Sequence, residues 1–249
     1  MRRVSRVPIL CYHNVDRRPA GTKFGLLYVE PAQFDRQLWA IERLGMRGVS
    51  MGEGLAGLRG TTRSRMVALT FDDGYVDTLT VAAPILARYG FRATCYIVTN
   101  ALGAHNRWDD DRIREKKSLM TREQVGQWLD AGMEIASHSC SHPALERIDD
   151  TEAAREISDS RADLRRLFGV TPDHFAYPFG GFTPRTVTLV RRAGYRSAVT
   201  TQPGIARGTD DMHRLPRLLV DGDRGLGRFL LRVGTPYEDL RQGRGLFPT

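Results

Sequence analysis

Two acids and two histidines carry the clearest chemistry in this sequence. Asp72 and Asp73 stand directly after the apolar run 66–71 (MVALTF) and before Gly74, while His138 and His142, four residues apart, follow the run 133–137 (MEIAS). Carboxylates and imidazoles are ligands for a divalent ion, and two His with one Asp leave coordination positions open for water and substrate. If residues 138–142 turn into helix, both imidazoles project to one side. In extended backbone successive side chains point apart, so one of the paired acids could hold a metal while the other faces a water. Taken singly the features have plain readings, because Asp-Asp-Gly is good turn chemistry and an HxxxH spacing also arises from unrelated surface histidines. Taken together, each set at the end of an apolar run, they point to a hydrolytic metal site.

Positioning such a set requires strands that end side by side. The hydrophobic pattern predicts strands at 7–12, 66–71, 93–99, 134–137, 174–177, 196–200 and 215–220, alternating with helices at 30–44, 77–89, 121–131, 151–168 and 184–193. That alternation argues for an α/β fold of parallel strands with helices packed outside, where active sites form at the carboxyl ends of the strands. No repeat or Pro/Gly/Ser-rich linker divides residues 1–249, and a single α/β barrel reaches this length. Residues 100–119 have poor periodicity and dense charge, as expected of a long loop over one end of the sheet. Trp108 with Asp109 to Asp111 could shape a groove there. Tyr12 and Tyr75 flank strand ends, lining a pocket or packing in the core; Trp39 and Trp128 fit core-facing helix positions.

Composition narrows the function classes. The chain is 41% hydrophobic with a formal net charge of +8, which excludes disordered and fibrous classes. Lys23, Lys116 and Lys117 are the three lysines among 37 basic residues. The arginines that make up the rest are scattered among acids, so no nucleic-acid-binding stripe forms. Cys11, Cys95 and Cys140 lie far apart and read as reduced thiols; Cys140 reads as a small filler between the two histidines. No run of about 20 apolar residues spans a bilayer, and 7–12 is too short for a signal peptide; a cytoplasmic location is therefore expected.

The motifs T-F-D-D-G at Thr70 to Gly74 and H-S-C-S-H at His138 to His142 resemble the first two of the polysaccharide deacetylases (carbohydrate esterase family 4, the NodB-homology domain). F-A-Y-P-F-G at Phe175 to Gly180 is similar to their third, and the resemblance continues through 119–139, 191–201 and 215–220. It implies a distorted (β/α)7 barrel in one domain, binding one divalent metal, commonly zinc, cobalt or nickel, on Asp73, His138 and His142. Asp72 would be the general base. A metal there would polarise an acetyl carbonyl and lower the pKa of its water. The backbone N–H of Phe179, where the family usually has Tyr, would help hold the oxyanion, with Tyr177 beside it on the substrate side.

Beyond Phe179, the sequence departs from the family pattern in three places. The third-motif Arg is replaced by Ala176, and Arg217 is a candidate to supply that charge, or else an ordinary strand-end Arg. The fourth motif, an Asp/Trp/Arg set, is not recognisable. The family's general acid is a His near the C-terminus, but His213 precedes its strand. His13 directly follows the strand of L-C-Y-H-N-V, and with the helix after it this opening is similar to the subgroup that deacetylates poly-N-acetylglucosamine, in which the acid His lies near the N-terminus. His13 is therefore preferred; His105 and His174 read as surface or packing residues. The expected reaction is metal-dependent release of acetate from an N-acetylated sugar or polysaccharide. Alternatives are a deacetylase or cyclic-amide hydrolase acting on a small metabolite, O-acetyl ester hydrolysis, or a catalytically silent carbohydrate-binding module.

Overall fold

The apolar runs form the staves of a barrel in a computed structural model that describes residues 5–20, 22, 25–61, 65–109, 116–223 and 225–241. Asp110 and Asp111, together with 112–115 of the expected loop, lie outside the described residues. A two-residue strand β1 (Arg6–Val7) leads into β2 (Ile9–Tyr12), α1 (Pro31–Arg43), β3 (Arg47–Val49) and α2 (Met51–Leu58). Next come β4 (Met66–Phe71), α3 (Ala83–Arg88), β5 (Thr94–Ile97), α4 (Arg122–Asp130), β6 (Glu134–Ser137) and α5 (Asp150–Phe168). The chain continues through β7 (His174–Ala176), α6 (Pro184–Arg192), β8 (Ser197–Pro203), β9 (Ala206–Arg207), β10 (Leu215–Leu219), α7 (Leu226–Gly234) and α8 (Tyr237–Arg241).

Seven strands run parallel in the order β2-β10-β8-β7-β6-β5-β4, and β4 pairs back onto β2 to close the ring. The seam sets Ile9 beside Ala68 and Tyr12 beside Phe71. The distortion lies at β4, where one edge is shared: its start pairs with β3 (Met66 with Arg47) and its end with β5 (Phe71 with Cys95). This is the (β/α)7 barrel expected.

Alternation along β4 sorts its side chains into two environments. Val67, Leu69 and Phe71 join the layer under the helices with Leu38, Ile41, Leu86 and Trp128. Met66 and Ala68 join the inner cluster with Tyr96, Ala136 and Ala176. The helices begin where the caps predict: Asp149 accepts the N–H groups of Thr151 and Glu152, and Thr121 with Gln124 forms a reciprocal box.

Several elements differ from expectation. Three glycines in eight residues hide α2 from a propensity reading, yet they are what lets it dock. A Cβ on Gly57 would sit 2.6 Å from the Met66 sulfur, and one on Gly54 3.0 Å from the Ala68 Cβ. A box between Ser50 and Glu53 starts that helix. The helix expected at 77–89 opens with a π-helical turn at Thr78–Ala82, a feature frequent beside functional sites. Trp39 is 46% exposed, with Arg43 over its ring, because it lies one position off the buried stripe of Phe34, Leu38 and Ile41. Trp128 is fully buried. His174 packs in a buried chain, its Nδ1 2.8 Å from the fully buried Ser197 Oγ and its Nε2 3.1 Å from Glu134. No helix among the described residues is long and apolar enough to cross a membrane.

Candidate active site

The site lies where β2, β4, β6 and β7 end. Asp73 itself is left-handed (φ 73°) where the chain leaves β4, a state uncommon outside Gly that Asp and Asn tolerate better than most residues. That turn separates its carboxylate from that of Asp72. On β6 the two histidines do not form a helix: Ser139 (φ 66°) and His142 (φ 65°) are both left-handed, and Ser139 Oγ accepts the His142 N–H at 3.0 Å. The sharp turn brings the imidazoles together anyway, with the two Nε2 atoms 3.2 Å apart and each 3.4–3.5 Å from Asp73 Oδ1.

This donor set fits a divalent ion. Among the described residues, Asp73, His138 and His142 form a buried trio able to hold one. The Nδ1 of His138 lies 2.8 Å from the Ala176 carbonyl, which only accepts, so its proton is on Nδ1 and the Nε2 lone pair faces inward. Burial and the neighbouring His138 push the His142 pKa down to about 3, keeping that ring neutral as a ligand must be. Its Nδ1 makes no hydrogen bond within the described residues. Instead the ring is clamped between Trp108, stacked at 4.5 Å, and Phe179, edge-on at 4.5 Å.

Asp72 is held apart from this trio. Arg217, 1% exposed, reaches from β10 and forks onto both carboxylate oxygens at 2.7 and 2.6 Å. Burial alone would raise the Asp72 pKa; the guanidinium charge and its hydrogen bonds outweigh that and hold the carboxyl well below the usual range. Arg217 is itself fixed by the Thr200 carbonyl (3.0 Å), the Thr70 hydroxyl (3.2 Å) and the face of Tyr96 (5.7 Å). The small inward side chain of Ala176 is fully buried in the same inner cluster as Tyr96, so a cation arrives from β10 and not from β7.

Cys11, on β2, donates to Asp72 Oδ2 at 3.4 Å, and burial pushes its thiol pKa well up, so it stays a thiol. A ring nitrogen of His13 lies within 4.8 Å of an Asp72 oxygen. Cys11, His13 and Asp72 could by distance form a second metal cluster, but Arg217 occupies both Asp72 oxygens and its charge repels a cation. His13 is half-buried, and its Nδ1 has no hydrogen-bond partner within the described residues.

Other sequence candidates separate clearly. His213 is remote, its Nε2 2.9 Å from the Tyr195 carbonyl ahead of β8. Tyr177 is not brought to the site by its side chain: it is fully buried against Phe175 and Phe182, and its hydroxyl donates to the His213 carbonyl. Phe179 is 40% exposed at the rim, with a left-handed backbone (φ 57°). Tyr12 is core, donating to Gln37. Tyr75 is buried, and burial together with the nearby Asp73 charge pushes its hydroxyl pKa well up. Cys140 is a buried thiol.

Cys11, Asp77 and Lys117 escaped the sequence reading. Asp77 accepts the Val15 N–H at 3.0 Å, and Lys117 bridges Asp77 (3.1 Å) and Asp16 (2.6 Å). The Lys117 N–H in turn donates to Asn106 at 2.8 Å. This knot ties the segment after His13, the helix after Asp73 and the Trp108 loop together. Its one sequence signal is the acid in D-D-G-Y-V-D, at the expected start of a helix.

Proteins similar to this chain are known both by structure and by sequence. The structure of a Streptococcus pyogenes deacetylase, PplD, in complex with acetate superposes with a TM-score of 0.81 at 26% identity, covering 92% of this chain and 98% of that one. A Bacillus subtilis (strain 168) relative, YxkH, is 27% identical over 218 residues, 87% of this chain and 72% of that one. The poly-β-1,6-N-acetyl-D-glucosamine N-deacetylase of Staphylococcus epidermidis is 25% identical over 173 residues; the match takes in 66% of this chain and 58% of that enzyme's length. The family model described as polysaccharide deacetylase matches residues 59–198. That stretch exceeds half of the chain and takes in Asp72, Asp73, His138 and His142, leaving His13 and Arg217 outside it: the chain belongs to the polysaccharide deacetylase family.

Proposed function

We propose that the chain is a metal-dependent N-deacetylase that releases acetate from an N-acetylated carbohydrate polymer of the poly-N-acetylglucosamine type. The observation that carries this reading is the separation of two carboxylates at one strand end. Asp73 converges with two imidazoles on a common point, while Asp72 is withheld and kept anionic by Arg217. Asp73, His138 and His142 would hold the ion, with zinc the first choice for an N/O donor set and cobalt or nickel the alternatives, and when bound it would supply Lewis-acid polarisation and lower the pKa of the attacking water.

The chain's own residues supply the remaining steps. Asp72 accepts the proton of the attacking water, and Arg217 keeps the receiving oxygen oriented. His13, half-buried and across the seam from Asp72, gives a proton to the departing amine nitrogen. The Phe179 backbone N–H is assigned to the oxyanion, on the strength of that residue's contact with His142. Trp108 and Phe179 give the mouth two aromatic walls suited to the apolar face of a sugar. The Staphylococcus epidermidis enzyme named for poly-β-1,6-N-acetyl-D-glucosamine supports the choice of polymer.

The test is acetate release from a ladder of N-acetylglucosamine oligomers, set beside sugar nucleotides, acetylated metabolites and cyclic amides. Chelation is expected to abolish release, and zinc, cobalt or nickel to restore it. Unchanged release after thorough metal removal, or turnover of cyclic amides in preference to the oligomers, would overturn the reading.

A further inference from the structure

The turn that joins the two histidines is held from outside the barrel. Its carbonyls face the segment after β5, with Ser139 accepting from the Thr99 N–H at 3.3 Å and Cys140 from the Asn100 N–H at 2.9 Å. The N–H groups of Cys140 and Ser141 face the other way and converge on one oxygen, Glu156 Oε2, each at 2.9 Å. The Ser141 hydroxyl donates to the second oxygen, Oε1, at 2.6 Å. Consecutive N–H groups aimed at one anionic oxygen form a stronger clamp than neutral pairs would.

Glu156 sits on α5, outside the ring of strands, and its hydrogen bonds among the described residues go to Cys140 and Ser141 and not to Asp73, His138 or His142. One helical turn further along, Ser160 Oγ lies 2.6 Å from Ser137 Oγ, the last residue of β6. Residues four apart share a helix face, so Glu156 and Ser160 grip the chain on both sides of His138. The helix is seated by Ala153, Ile157 and Leu164, all fully buried. Two left-handed residues in four would relax toward ordinary backbone if the clamp opened, and His142 would swing away from His138.

We infer that Glu156 is a positioning residue for the metal site: it fixes the left-handed turn that sets His142 against His138, without touching the ion itself. This rests on the reading of Asp73, His138 and His142 as metal ligands.

The experiment measures Co(II) binding by competition with a chromophoric chelator, with the Co(II) visible spectrum as a report of ligand geometry. Glu156→Ala is expected to weaken Co(II) binding about 10- to 100-fold and to alter the spectrum. Glu156→Gln keeps an acceptor oxygen for both N–H groups, and is expected to stay near wild type with the wild-type spectrum. Unaltered affinity and spectrum in Glu156→Ala overturn the proposal. If that variant fails to fold, Glu156→Asp, one methylene short of the turn, carries the test: about tenfold weaker binding supports it, and wild-type binding overturns it. Wild-type protein that fails to bind Co(II), or binds it equally well as Asp73→Asn, refutes the metal-site reading instead.

Discussion

Replacing Arg217 by Met would leave the volume nearly filled while stranding Asp72 as a buried, unpaired carboxylate. Removing one partner of a buried ion pair destabilises by about 3–5 kcal/mol, and for a chain of this size each kcal/mol lowers Tm by about 2–4 °C. Arg217→Met should therefore melt about 6–20 °C below wild type at pH 7. The pH dependence separates a charge effect from lost packing. In the wild type the Asp72 pKa is depressed, so its contribution is fully present above the unfolded value of about 3.9 and is lost only as pH falls through the lower folded value. In the variant the guanidinium no longer offsets burial, the largest effect on this carboxyl, so the folded pKa rises, the sign reverses and the folded state loses stability as pH rises. The gap between the two proteins should then widen with pH by up to about 1.4 kcal/mol per unit above pH 4, levelling off once the variant's carboxyl ionises. Urea unfolding of both proteins from pH 4.5 to 8, in excess chelator to remove any metal contribution, measures this gap. A loss below about 1 kcal/mol at pH 7, or one equal at pH 5 and pH 8, would refute the assignment of Arg217 as the counter-ion of Asp72.

Three further outcomes follow from the geometry. His13→Ala should lower turnover about 10²- to 10⁴-fold with Co(II) stoichiometry unchanged; a drop in bound metal would show that His13 is a ligand and not the proton donor. Trp108→Ala frees one face of the His142 ring, and stacking worth about 0.5–1.5 kcal/mol corresponds to a two- to tenfold rise in the chelator-measured Kd for Co(II). Asp239 is fully buried between Arg6 and Arg207. Asp239→Ala should therefore destabilise the fold by about 3 kcal/mol in urea unfolding while leaving Co(II) affinity intact, and a stability change within experimental error would show that this clamp is dispensable.

The residues legible in the sequence were those that local chain geometry alone brings near each other. Asp72 with Asp73, and His138 with His142, lie in short segments at the ends of apolar runs, so strand ends and spacing were enough to single them out. The reason for the histidine spacing was misread, because two left-handed residues, and not a helical turn, bring the rings together. Arg217 could be named but not placed: its contact with Asp72 spans 145 residues and depends on barrel closure. Cys11 and Lys117 had no signal, since a lone thiol and a lysine in a charged loop look alike wherever they fold. Helix α2 was missed because its glycines serve close packing against β4, which propensity counts against. Tyr177 illustrates the opposite error, with motif membership suggesting a side chain at the site where the alternation of β7 buries it under α6.

The β2–β4 seam has a consequence for how activity is tied to integrity of the chain. All three proposed metal ligands lie downstream of β2, on segments that pair among themselves through β4, β5 and β6. His13 comes within reach of Asp72 only because Tyr12 docks beside Phe71 when the ring shuts. A molecule whose first strand is displaced while β4, β5 and β6 stay paired would therefore keep the segments that carry the trio, yet lack the imidazole near Asp72. Metal content would then be a poor gauge of intact enzyme, and an amino-terminal affinity tag that strains β1 and β2 could silence a preparation that still looks fully loaded.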